Sequence, residues 1–337
     1  MTLGWLVLPG TLLVALSAPA GAWSQSSPRI NIYRFVLGVD VPESPALVAL
    51  DRTPSRVLRG SAPKPIAATA TRIFSSGGGQ NAIVVDIVPY YLAGGGARNL
   101  SSYRSNSIAG RLGRVGTKTQ LGIGSLWDES GAALVSVGLR ATFHDPHDPV
   151  LNSNLPESVD SALHTAGNPM LSDEDERVTD RGPDLGPLFD RARRTMRARH
   201  GIQISGGWGV AARAGGGVVS SDSLGPARHV VWLSGQITLG PRLDLIGLGQ
   251  VRAAHGERGE ARLGAALERK AGDADFRAEF YYQTRSEQLN GGASAEIRAL
   301  RRISVVGSVL TEAGAPPSES RQLRAYLSLR WFVAEDP

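Results

Sequence analysis

The residues best equipped for chemistry stand together at His144-Asp145-Pro146-His147-Asp148-Pro149. Two imidazoles and two carboxylates within six residues are transition-metal ligand types, because a neutral ring nitrogen and a carboxylate oxygen both donate to a divalent ion. A metal centre needs a further ligand cluster, and no other stretch has ligand spacing. Asp and Pro are also the ordinary residues of a turn where a strand stops. The segment therefore reads first as a turn, with His144, Asp145, His147 and Asp148 as the alternative metal set, and no cofactor is expected.

Other chemistries find less support. The acidic run Asp173-Glu174-Asp175-Glu176 lacks the spaced acids and glycine of a calcium loop, and reads as solvated charge beside a basic helix. The glycines at 77–79 and 215–217 do not sit between a strand and a helix, as a phosphate-cradling loop would. No serine occupies a nucleophile elbow. A hydrolase working on a lipid-facing surface would need Ser and His there, and among the clear strands those positions hold only His229.

A second set of charges has a different logic. Asp86, Arg140, Arg213, Asp244, Arg252, Glu268, Arg277, Glu279, Glu296, Arg298, Arg324 and Arg330 all fall on the polar face of segments that alternate with period two. Lining an aqueous lumen, they would select or conduct ions and small polar solutes. Packed against one another, they would fill the same space as Arg–carboxylate pairs.

The elements that position these charges are strands. In the closing stretch 321–333, Leu323, Ala325, Leu327, Leu329 and Trp331 lie on one side, and Gln322, Arg324, Tyr326, Ser328 and Arg330 on the other. Similar alternation predicts strands at 81–91, 107–115, 119–127, 133–143, 202–213, 229–239, 242–252, 261–270, 276–283, 293–299 and 303–310. The total is about twelve, each roughly ten residues long, the length a tilted strand needs to cross hydrocarbon. In the second half, tight turns alternate with longer polar connections. A transmembrane barrel has such rims, whereas a Greek-key sandwich has no reason to keep that order.

Three segments stand apart. Residues 1–22 read as a secretory signal peptide: a short apolar run, then Ala20-Gly21-Ala22 before the cleavage point. Residues 23–80 read as a leader of short helices, the first capped by Ser44 with Pro45 at its first turn, a second opening at Thr53-Pro54, and a third over 65–74. This leader is expected to plug the lumen, dock a periplasmic element or cap one barrel end. Residues 145–200 interrupt the strands with an inserted subdomain ending in a basic helix at 188–200. Counted back from a periplasmic C-terminus, it is periplasmic.

Composition agrees. The 337 residues include no cysteine, which excludes a disulfide framework and a lipidated cysteine, and no apolar run beyond the first 22 residues is long enough for a spanning helix. The formal charge of +5 comes from a basic set with only three lysines. Its arginines are scattered singly on alternating segments, without the stripe that phosphate binding needs, so nucleic acid is not an expected partner.

The leader Ser44-Pro45-Ala46…Ala49-Leu50…Thr53-Pro54…Val57-Leu58-Arg59, followed by Ile83-Val84-Val85-Asp86-Ile87-Val88-Pro89-Tyr90-Tyr91-Leu92 and Val137-Gly138-Leu139-Arg140, resembles a group of uncharacterised bacterial outer-membrane β-barrel proteins. The resemblance implies an outer-membrane location but no known activity. The basic helix and the residues Ala334-Glu335-Asp336-Pro337 after Val333 depart from that group.

The expected fold is an all-β transmembrane antiparallel barrel at 81–337, interrupted by 145–200. Its expected partners are outer-membrane lipid, the barrel-assembly machinery and a periplasmic protein docking at 145–200. The expected function is non-enzymatic, as a small-solute channel or a structural or docking barrel of the envelope. The alternatives are an outer-membrane enzyme with a rim site and a secreted soluble β-sandwich.

Overall fold

The computed structural model describes residues 29–31, 43–59, 65–75, 78–92, 97–128, 133–165, 185–197, 199–214, 227–254, 259–300, 303–312 and 322–333. Twelve strands form one closed antiparallel barrel. They are β1 (Ile66–Ser75), β2 (Gly78–Ile87), β3 (Thr119–Asp128), β4 (Ala133–His144), β5 (Ile202–Ala214) and β6 (Arg228–Gly240), then β7 (Leu243–Ala254), β8 (Glu260–Ala271), β9 (Ala274–Gln283), β10 (Gln288–Leu300), β11 (Ile303–Glu312) and β12 (Gln322–Val333). Each pairs with its sequence neighbour, and β12 closes on β1 with Leu329 opposite Ala70. Closure leaves no strand edge unpaired, which hydrocarbon requires.

The two faces of the sheet are inverted relative to a water-soluble fold. On β12, Leu323, Leu327, Leu329 and Trp331 are exposed while Tyr326, Ser328 and Arg330 are buried. On β2, Ile83 and Val85 point out, and Ala82, Val84 and Asp86 point in. Ile123, Leu233, Val251, Leu263, Phe280 and Ile297 continue the outer belt. In water so large an apolar surface would drive association, whereas in a bilayer it meets acyl chains. A two-sheet sandwich is excluded, because all twelve strands belong to one closed sheet.

Two predicted elements change type. Residues 107–115, expected as a strand, are helical, within α4 (Ile108–Thr117). Ile108, Leu112 and Val115 fit helical spacing, and Ser107 Oγ caps the first turn by accepting from Gly110 N at 3.1 Å. Residues 65–74, expected as a short helix, form β1, with Ala67, Thr69, Thr71 and Ile73 turned inward. Pairing with β2 and β12 outweighs local propensity there. One spurious strand and one missed strand cancel, so the total stays twelve. The glycine-rich strand at 119–127 is present as β3.

The leader's first helix forms as its caps predict. Ser44 Oγ accepts from Ala46 N at 3.2 Å at the start of α1 (Pro45–Leu50). Asp51 ends α1 in the left-handed region at φ 59°. No helix forms at 53–58.

The rim where β1 begins and β12 ends, called here the terminal rim, carries tight turns at 241–242 and 272–273, the second turned by Gly272 at φ +65°. It also carries both long connections. Residues 88–118 supply α2 (Pro89–Leu92), α3 (Leu100–Arg104) and α4, and residues 145–201 supply α5 (Pro149–Asn152), α6 (Leu155–Thr165) and α7 (Gly186–Arg197). Tyr103 from α3 shares a small core with Val150, Leu155, Val159, Ala192 and Met196. The basic helix is α7, which buries Ala192 and Met196 and exposes Arg191 and Arg194. A short ribbon pairs Arg29–Asn31 with Ala97–Asn99. The signal peptide, the acidic run 173–176 and the tail 334–337 lie outside the described residues.

Candidate functional site

The lumen is filled by residues 43–59. Seven apolar side chains of α1 and its continuation, among them Leu47, Val48, Leu50, Val57 and Leu58, pack on wall residues Val84, Leu126, Trp232, Ile246 and Leu310. The wall is cut away to receive them. A Cβ on Gly138 would lie 2.5 Å from the Pro45 carbonyl carbon, and one on Gly209 would lie 2.8 Å from Ala49 Cβ. Glycine is needed at Gly138 because wall backbone meets segment backbone, and at Gly209 its missing Cβ makes room for the Ala49 methyl.

The rest of the interface is ionic, and wall charges take their partners from the segment. Glu279 accepts from Ser55 Oγ at 2.6 Å, Arg56 N at 2.8 Å and Val57 N at 3.2 Å. Asp86 accepts from Ser44 Oγ at 2.7 Å. Arg140 donates to the backbone carbonyls of Arg59 and Glu43. Arg277 bridges Glu268 of the wall to Glu43 of the segment, 3.2 Å away, and donates to Ser55 Oγ at 2.8 Å and Val57 O at 2.9 Å. Arg59 reaches Glu296, which also holds Arg330 at 3.1 Å. Nearer the opposite rim, Arg252 and Arg262 converge on Asp51.

Of the charges singled out by alternation, Asp86, Arg140, Asp244, Glu268, Arg277, Glu279 and Arg330 are buried inside the barrel. Glu296, Arg252, Arg298 and Arg324 are partly exposed, and Arg213 at the end of β5 is exposed. Asp244 pairs with Lys270 at 3.4 Å and Gln236 at 3.1 Å, while Arg298 faces Asp273 at 3.4 Å. Sequence reasoning missed Arg262 and Lys270, although the parity of Glu268 on β8 places both inward. It also missed Glu43, Asp51, Arg56 and Arg59, whose segment has no strand period to reveal a face.

The His-Asp-Pro repeat does different work. Lys118 Nζ lies 2.9 Å from Asp145 and 2.6 Å from Asp148, and all three are largely buried. Asp148 also caps α5 through Val150 N and accepts from Tyr103 Oη at 2.8 Å. His144 is exposed, and His147 turns toward Arg199 O at 3.2 Å. Both carboxylates are thus spent on one ammonium that ties the two helical connections together. Among the described residues no three metal-ligating side chains converge.

Burial by itself would raise the Asp145 carboxyl, but Lys118 holds it below its usual value, and Asp145 and Asp148 raise Lys118 against the effect of burial. The Asp145 contribution to docking is present above its unfolded pKa of about 3.9 and is lost as pH falls through the lowered folded value. That of Lys118 is full below about pH 10.4 and fades only as pH rises through its raised folded value. The rim helices should therefore stay docked at neutral pH and loosen below about pH 4. Amide protection factors in α5 and α7 should fall between pH 7 and pH 3, and equal protection at both would reject the tie. Lys118→Met should have the same effect at pH 7, because it strands two buried carboxylates at a cost of about 3–5 kcal/mol.

No family profile and no curated protein matches the chain. Among solved structures it is similar to the KdgM porin, with a TM-score of 0.44 and 7% identity over 80% of this chain and 99% of that one. The NanC porin gives 0.39 and 6% over 79% and 100%. Outer membrane phospholipase A from Escherichia coli gives 0.39 and 7% over 87% and 98%. The architecture follows from the closed sheet and its inverted faces: the chain is a twelve-stranded transmembrane β-barrel of the outer-membrane type.

Proposed function

We propose that this barrel is a small-solute channel of the outer membrane, closed by its own residues 43–59, with the terminal rim and its helices in the periplasm. One observation carries the reading. The wall charges Asp86, Arg140, Arg252 and Glu279 are bonded to the lumen segment. A permanently filled barrel would gain stability from apolar side chains at such positions, since desolvating charges is expensive. Charges that water can solvate once the segment leaves suit a wall that is sometimes wet.

A second reading has its own support. Burial of Leu47, Val48, Leu50, Val57 and Leu58 favours a lumen that never opens. The barrel would then be structural, and the helices at 145–200 would dock a periplasmic partner.

A reversible lock separates the two. The chain has no cysteine, and Ala49 and Gly209 face each other closely enough for a disulfide after a shift of about 1 Å. In planar bilayers, A49C/G209C should be silent when oxidised and should regain solute-sized openings on reduction. A reduced barrel that migrates as folded yet never conducts would leave the structural reading.

A further inference from the structure

We infer that Arg252 and Arg262 form a binding site for the carboxylate of a small organic acid, and that Asp51 of the lumen segment occupies this site in the closed form. The inference deepens the channel reading, on which it rests, by naming a solute class.

The site is built by the wall. Arg252 and Arg262 stand on adjacent strands at the opposite-rim ends of β7 and β8, where Arg262 pairs in register with Gln250 and Arg252 with Glu260. Gln250 Oε1 accepts from Arg262 at 3.2 Å, and the Arg262 guanidinium lies 5.3 Å from the centre of the Tyr281 ring. Both contacts fix its fork independently of the lumen segment. Arg252 grips Asp51 through both terminal nitrogens, at 2.5 and 2.6 Å, in the two-pronged geometry that guanidinium offers a carboxylate. Arg262 adds a contact at 3.3 Å. Arg56 of the segment, 2.7 Å away, completes three cations around one acid.

Two further observations point to an exchangeable ligand. The Nε atoms of Arg252 and Arg262 are buried and donate to no acceptor among the described residues, so the site has donors that the short Asp51 side chain does not use. Arg262 is buried at 3% exposure while Asp51 is 29% exposed, so the carboxylate sits at an accessible edge with a cationic floor beneath it. The left-handed end of α1 would accept an uncharged asparagine as readily, so the cap does not require the charge. A solute carboxylate entering from the opposite rim would take the same fork, and the end of α1 would be released.

Chemical rescue tests the site without reading current. Asp51→Ala should lower the unfolding midpoint of the barrel in detergent micelles. Sodium acetate should recover at least half of that loss, sodium chloride at equal ionic strength should not, and D51A/R252Q/R262Q should respond to neither. If D51A does not fold, Asp51→Gly suits the left-handed φ of 59°, leaves the carboxylate's space open and should show the same pattern. Equal responses to acetate and chloride, or a full acetate response in the triple variant, would overturn the site. Because the readout is stability, a conducting barrel can fail this test and a silent one can pass it.

Discussion

Gly138→Leu is expected to unseat the lumen segment while leaving the barrel folded. Gly138 stands on β4 where the wall touches the Pro45 carbonyl, and even a Cβ would intrude to 2.5 Å of its carbon. Backbone cannot rotate away as a side chain can, so either α1 lifts or the wall bows. Overpacking of this kind costs about 1–3 kcal/mol, which converts to about a 5- to 150-fold rise in the open population. Channel-opening frequency in planar bilayers measures it directly. Gly247→Leu is the matched control, since nothing lies within 4 Å of a Cβ there. A folded G138L barrel that opens no more often than G247L would mean that the segment does not gate the lumen.

Arg277→Met should be the most destabilising single change inside the barrel. Arg277 faces Glu268 and Glu43, and donates to Ser55 and to the Val57 carbonyl. Its loss leaves two buried carboxylates short of a cation, worth about 3–5 kcal/mol. Arg277→Lys should recover only part of this, because an ammonium cannot fork between wall and segment as a guanidinium does. The double variant R277M/E268L should be more stable than R277M alone, since it removes the stranded charge with its partner. Unfolding midpoints of the three variants decide the matter. Additive losses in the double variant would show that the two side chains are not coupled.

How much of this was legible in the sequence depends on the kind of periodicity each part carries. The strand period of two placed Leu323, Leu327, Leu329 and Trp331 on lipid and Arg330 inside, because one face meets acyl chains and the other does not. It also placed Asp86, Arg140, Glu268, Arg277 and Glu279 in the interior. The Ser44-Pro45 cap was enough to start α1, since capping is local chemistry. Where local signals conflict, the sequence misled: residues 65–74 resemble a short helix, and 107–115 alternates well enough to resemble a strand.

The sequence by itself therefore determined the barrel class, eleven of its twelve strands and most of the inward charges, all of which follow from side-chain alternation and turn residues. Only the tertiary structure decided what those charges do. Glu279 finds the backbone of Arg56 and Val57 more than two hundred residues away, and Arg252 finds Asp51 at a similar separation. No period links such residues, because their meeting depends on closing the sheet around a segment without strand repeats. The same holds for His144 to Asp148, where ligand types in sequence became, through Lys118, a tie between two helical connections.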